Sequence, residues 1–150
     1  MKKSILLVAI CFCVFSLSAK VLTPVKWKIS TKKVSATEYD IICEATVDAS
    51  WHLYDSYLPD GGPLSTSFNI DPDDTKGIEL VGKFKSTTKP LVESSDAFGV
   101  EVRYFKKKVT FVQRVKLKGD VHKVVGYVEY MACSGGQCIP PGEAEFEFQL

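Results

Sequence analysis

Apolar and polar positions alternate along most of this chain. Val25, Trp27 and Ile29 alternate with Lys26, Lys28 and Ser30. Tyr39, Ile41, Cys43, Ala45 and Val47 alternate with Glu38, Asp40, Ile42, Glu44 and Thr46. Val109, Phe111, Val115 and Leu117 alternate with Thr110, Val112, Arg114 and Lys116, and Ala144, Phe146, Phe148 and Leu150 with Glu143, Glu145, Glu147 and Gln149. A period of two with one apolar parity predicts a strand with one buried face. Shorter strands are expected over 65–70, 78–84 and 100–105. A longer one over 121–132 is mixed in parity and reads as covered on both sides. Turn signals separate them: Asp60-Gly61-Gly62-Pro63, Asp71-Pro72-Asp73-Asp74 and Lys118-Gly119-Asp120. No window of helical length shows a 3.6-residue apolar period. Seven to nine short strands at this spacing predict an all-β fold. Its expected form is an immunoglobulin-like antiparallel β-sandwich in one domain, without repeats or linkers.

The first residues break this pattern. Met1-Lys2-Lys3 is a short positive start, and the apolar run from Ile5 to Leu17 is too short to span a bilayer comfortably. Ser16, Ser18 and Ala19 supply small residues for cleavage. The expectation is a signal peptide over 1–19, a mature domain over 20–150, and a periplasmic location. The chain has 19 basic and 18 acidic residues. Without Lys2 and Lys3 it stays near neutral, which gives no electrostatic footprint for nucleic acid or a membrane surface. Lys106-Lys107-Lys108, the one basic run, reads as a solvated turn. No second apolar segment follows, so no membrane insertion is expected after cleavage.

Location matters because of the cysteines. Of five, Cys11 and Cys13 fall in the signal segment, leaving Cys43, Cys133 and Cys138. Outside the cytoplasm a disulfide can persist, and an odd count leaves one thiol unpaired. Cys43 lies on the apolar parity of its strand and reads as a buried, inert thiol. Cys133 and Cys138 bracket Ser134-Gly135-Gly136-Gln137 and are followed by Ile139-Pro140-Pro141. Four readings of the pair stand side by side. A structural disulfide over so small a loop stabilises by only about 2 kcal/mol in the chain-entropy model. A redox-active pair suits a loop whose glycines let the bond form and open without unfolding the domain. A zinc site lacks ligands, since His52 and His122 are the only histidines, although a two-thiolate copper site with Met131 remains open. Two unrelated free thiols complete the set. No C-x-x-C opening a helix is present, so a thioredoxin-like site is not expected.

One set of elements resembles a known family. Val128-Glu129-Tyr130-Met131-Ala132-Cys133, then Cys138-Ile139-Pro140-Pro141 and the closing Phe146-Glu147-Phe148, are similar to the N-terminal periplasmic domain of the thiol:disulfide interchange protein DsbD. Upstream, Ser50-Trp51-His52-Leu53-Tyr54 resembles that domain's aromatic strand, Asp96-Ala97-Phe98-Gly99 its cap loop, and 100–115 the strand that follows. The likeness spans roughly 25–150. The four-residue loop is shorter than in the best-known members, and Asp60-Gly61-Gly62-Pro63 looks like an insertion.

The resemblance implies a sandwich with an inserted cysteine-bearing loop and a job in thiol–disulfide exchange. Electrons would come from a membrane thiol reductase through a thioredoxin-fold carrier and pass to periplasmic disulfide isomerases or cytochrome c maturation proteins. With no membrane or thioredoxin domain after Leu150, the reductase is expected to be a separate polypeptide. The resemblance further implies that Cys138 forms the intermolecular bond and Cys133 resolves it. Phe98 would shield the pair, Gly99 would hinge the loop, and His52 and Tyr54 would line the site. Asp96 would tune a thiol or accept a proton, although a nearby carboxylate raises a thiol pKa. No cofactor or metal is expected. Each residue also has an ordinary reading: Phe98, Trp51 and Tyr54 as core aromatics, His52 as alternating with its neighbours toward solvent, and Asp96 as a turn residue. A non-enzymatic immunoglobulin-like interaction module with a permanent disulfide is the main alternative function, and copper binding a further one.

Overall fold

A computed structural model describes residues 21–150. The export segment expected over 1–19, with Cys11 and Cys13, lies outside the described residues. Twelve strands and no helix are found among the described residues, and every strand pairing is antiparallel. The architecture is the expected immunoglobulin-like antiparallel sandwich, with a cysteine-bearing hairpin added to it.

One sheet contains β1 (Val25–Lys33), β2 (Glu38–Val47), β8 (Lys108–Leu117) and β5 (Ile78–Ser86), in the order β1-β2-β8-β5. A three-stranded sheet has the order β12-β9-β4, from Gly142–Gln149, Lys123–Tyr130 and Ser67–Ile70. A five-stranded sheet has the order β11-β10-β3-β7-β6: Gln137–Cys138, Ala132–Ser134, His52–Tyr54, Val100–Phe105 and Leu91–Ser95. The alternation read from the sequence explains the long strands. Ile41, Cys43, Ala45 and Val47 of β2 are buried, as are Val109, Phe111 and Val115 of β8. In register, Cys43 faces Phe111 and Ala45 faces Val109. This apolar layer meets Leu53 and Phe105 of the five-stranded sheet and Val124, Val128 and Phe146 of the three-stranded one in a single core. Rings knit the layers: Phe111 of β8 lies 5.6 Å from Phe105 of β7, and Phe84 of β5 lies 5.5 Å from Phe68 of β4, between centroids. Offset and edge contacts at such separations add to the burial itself.

Cys43 lies in the core, as its parity predicts. It is fully buried and unpaired, and burial pushes its thiol up to about 12.

Three expectations need correction. The strand count exceeds seven to nine because the additional elements, β3, β6, β10 and β11, have two to five residues each, too few to show a period. The span 121–132 is not one strand. β9 ends at Tyr130, and after Met131 the chain leaves β12 and β4 to pair with β3 as β10. Within β9 the buried positions alternate strictly, while the two-sided covering expected for the span belongs to β10, where Ala132 and Cys133 are both buried. Likewise 100–115 is divided between two sheets. β7 ends at Phe105, and the chain turns through Lys106 and Lys107, whose φ of 68° is left-handed, before β8 begins. All three lysines of that run are exposed, as a solvated turn requires.

Gly126 in the middle of β9 is fixed by close approach. A Cβ there would strike the Asn69 carbonyl oxygen of β4 and the Phe146 ring of β12. Gly126→Ala should therefore lower stability by about 1–3 kcal/mol through overpacking. The check is the midpoint of chemical denaturation; an unchanged midpoint would show that β4 can move aside freely.

A cysteine pair in an aromatic cage

Cys133 and Cys138 face one another across β10 and β11 and are disulfide-bonded, with Cα atoms 4.0 Å apart. Ser134 and Gln137 pair next, so the connection is the two-residue loop Gly135-Gly136. Both glycines have positive φ, 55° and 83°. A tight hairpin loop of this kind needs left-handed backbone at both central positions, which glycine adopts without a steric penalty. Below the disulfide, the Ile139 amide donates to the Ala132 carbonyl at 3.0 Å. The hairpin is thus held at both ends by features other than the S–S bond.

β3 connects this hairpin to the body of the sheet. Ala132 pairs with Leu53 and Cys133 with His52, while Leu53 and Tyr54 pair on the other side with Phe105 and Tyr104. Neighbouring residues on a strand point to opposite faces. Leu53 and Ala132 enter the main core, with Trp51 packed against it. His52, Tyr54 and Cys133 share the other face. This corrects the reading of His52 as alternating with its aromatic neighbours: it alternates with Trp51 and Leu53, but stands two residues from Tyr54 and points the same way.

That second face carries a small core of its own. Tyr54, Val102, Tyr104 and Cys133 are buried in it, with Leu58, Phe98, Val100 and Met131 packed against them. The His52 ring stands edge-on to Tyr54 at 5.1 Å and lies 4.9 Å from Tyr104. His52 Nε2 and the Tyr54 hydroxyl are hydrogen-bonded at 3.1 Å. The Tyr104 hydroxyl donates to Glu93 Oε2 at 2.8 Å, and Lys106 Nζ sits 5.7 Å from the Tyr104 ring centre. Burial lowers the His52 pKa from its ordinary value, with Glu93 opposing and Lys106 adding to the effect. Burial, then the Glu93 charge, raises the Tyr54 pKa. For Tyr104 the hydrogen bond to Glu93 is the leading cause of a raised value. Both phenols therefore remain protonated at neutral pH.

The loop between β6 and β7 contains Asp96-Ala97-Phe98-Gly99. Gly99 has φ 69°, and its amide donates to the Ser95 carbonyl at 2.7 Å, closing the turn. Phe98 is half-buried, its ring edge-on to Tyr54 at 6.2 Å, so it packs against the cluster that holds Cys133. Asp96 is exposed at the loop. The carboxylate joined to the aromatic group is Glu93. Sequence reading missed Glu93 and Tyr104. Tyr104 shares parity with Val100 and Val102, a signal that was available; Glu93 lies on a short, exposed strand with no pattern. The two cysteines differ sharply in environment, since Cys133 is 3% exposed whereas Cys138 is exposed.

The family model for the N-terminal part of the thiol:disulfide interchange protein DsbD matches residues 19–150. The chain belongs to the DsbD N-terminal domain family. Thiol–disulfide interchange is the chemistry that family is described by. Among solved structures, the N-terminal periplasmic domain of ScsB from Proteus mirabilis is similar with a TM-score of 0.63 and 16% identity. The match covers 89% of this chain and 49% of that one, so the chain spans about half of the ScsB domain. The reduced DsbD N-terminal domain of Neisseria meningitidis gives a TM-score of 0.49 at 16% identity, covering 81% of this chain and 83% of that one. Among curated proteins, none matches. At these identities the ScsB likeness speaks for the fold. For this DsbD-type domain, removing the Phe98 ring should uncover Cys133, the buried partner of the exposed Cys138. In the reduced domain, Phe98→Ala is expected to speed alkylation of Cys133 by a small reagent about tenfold, equivalent to about 1.4 kcal/mol of lost closure. Alkylation kinetics of Cys133 in a Cys43→Ala, Cys138→Ser background check this, and an unchanged rate would mean that the ring does not restrict access.

Proposed function

We propose that the domain is a thiol–disulfide exchange relay acting through Cys133 and Cys138. The observation that carries this reading is the unequal exposure of the two cysteine residues within one small hairpin. A partner sulfur can reach Cys138, whereas Cys133 lies inside the aromatic cluster. In the reduced domain, Cys138 thiolate attacks the partner disulfide, forming a mixed disulfide and releasing one partner thiolate. Cys133 thiolate then attacks the Cys138 sulfur. The intramolecular bond forms, the intermolecular bond breaks, and the second partner thiolate leaves. Two electrons pass to the partner, and the same steps run backward when a donor reduces the pair.

The partners we infer are thioredoxin-fold proteins. Upstream stands a membrane thiol reductase, and downstream stand disulfide isomerases or cytochrome c maturation proteins. In this reading the domain is a protein-disulfide reductase component without a cofactor. It works in the periplasm, the location named for the ScsB domain, after a signal peptide over 1–19 has been removed. No helix among the described residues is long and apolar enough to cross a membrane. Phe98 serves as the shield, Gly99 permits the loop to lift, and His52 and Tyr54 form the wall. Asp96 lies where an incoming partner would meet the loop.

Cysteine variants test the order of events. Cys133→Ser should accumulate a mixed disulfide with an oxidised thioredoxin-fold protein, seen as a thiol-sensitive adduct on non-reducing gels. Cys138→Ser should form none and should lose exchange by orders of magnitude. The reverse pattern would exchange the two roles. No exchange by the native pair with any such protein would leave the interaction module with a permanent disulfide as the better reading.

A further inference from the structure

We infer that His52 is the proton acceptor for the Cys133 thiol when Cys133 resolves a mixed disulfide held on Cys138. The inference rests on the exchange reading above and gives chemistry to a residue that there only lines the wall.

The need for an acceptor follows from the surroundings of Cys133. It is 3% exposed and packs with Tyr54, Val102 and Tyr104. A desolvated thiol gives up its proton reluctantly, yet only the thiolate attacks a disulfide. Helix N-termini, the usual means of easing that ionisation, are absent among the described residues. Bulk water has little access.

His52 answers the need by position. It is the cross-strand partner of Cys133 on the same face, an arrangement that places Cβ atoms about 4.5–5.5 Å apart. Its ring is held between Tyr54 and Tyr104, and Nε2 is bonded to the Tyr54 hydroxyl. The tautomer in which Nε2–H donates to Tyr54 leaves Nδ1 as a bare acceptor. Two charged groups act on the ring: Glu93 from β6, bonded to the Tyr104 hydroxyl, and Lys106 from the turn after β7. Their effects oppose one another, and burial dominates, so the imidazole is neutral at neutral pH and able to take a proton. Tyr54 and Tyr104, the other titratable groups against it, stay protonated.

The step balances. The Cys133 S–H proton moves to His52 Nδ1, and the thiolate attacks the Cys138 sulfur. The Cys133–Cys138 bond forms as the Cys138–partner bond breaks. The electron pair leaves on the partner sulfur, which is protonated from solvent, and the imidazolium returns its proton to solvent. Run backward, the imidazolium protonates Cys133 as the pair is reduced.

A chromogenic aromatic disulfide separates the two steps in the reduced protein carrying Cys43→Ala. The first aromatic thiolate released reports attack by Cys138, and the second reports resolution by Cys133. In the protein with His52, the second phase should rise with pH through a point below the ordinary histidine value and then level, because the neutral ring is the active form. His52→Gln should slow that phase about 10–100-fold at neutral pH, within or just below the range of general base catalysis. It should also remove the inflection and leave the first phase within about twofold. His52→Tyr, which keeps a ring between Tyr54 and Tyr104, should show the same loss, whereas a packing role would be rescued by it. If either variant resolves as fast as the parent with the same pH profile, His52 is not the acceptor. If the parent releases no second thiolate, the exchange reading itself falls, and this inference falls with it.

Discussion

The site depends on one constraint: β3 and β10 are buried on both faces at once. Leu53 and Ala132 are fixed in the main core, which leaves His52, Tyr54 and Cys133 no choice of direction. A one-residue slip of β10 against β3 would turn Cys133 into the main core and Ala132 outward. The geometry of the cysteine pair is therefore set by packing elsewhere. The disulfide does not have to hold the hairpin together. Gly135-Gly136 and the Ile139–Ala132 hydrogen bond already fix its register. A bond that closes so short a loop adds only about 2 kcal/mol by the entropic account. It can open without taking the fold with it.

The same constraint explains the asymmetry between the two cysteines. Cys133 belongs to the strand that is packed from both sides, while Cys138 belongs to β11, the edge of the sheet, and is open to solvent. The aromatic residues then divide their tasks by strand. Tyr54 and Tyr104 build the floor from β3 and β7, and Phe98 leans on them from the loop between β6 and β7. Glu93 orients Tyr104 from the other edge strand. A pair so arranged presents one cysteine and withholds the other, the asymmetry on which the proposed ordered exchange rests.

The long strands were legible because one face of each meets the core, so β1, β2, β8 and β12 carry a clean period of two. The short ones were not. β3 and β10 are three residues each, covered on both faces, and hence lack alternation. The ordinary reading of His52 as alternating with Tyr54 fails on the period of two itself, since positions 52 and 54 of one strand share a face. The cysteine pair and the Asp96–Gly99 loop were found from local sequence and family resemblance. Tyr104 was legible from its parity with Val100 and Val102, whereas Glu93 joins the site through a hydrogen bond between adjacent strands that no local pattern announces. Cys43 was read correctly because its parity on β2 was unambiguous.

The central claim is that the Cys133–Cys138 bond is poised for exchange and is not a permanent staple. Its reduction potential tests that most directly. The measurement is a glutathione or dithiol redox titration of the full chain with Cys43→Ala, followed by thiol alkylation. The account predicts a midpoint less negative than about −300 mV, within reach of periplasmic thioredoxin-fold partners. A pair that stays oxidised well below that potential would behave as a structural disulfide and would contradict it.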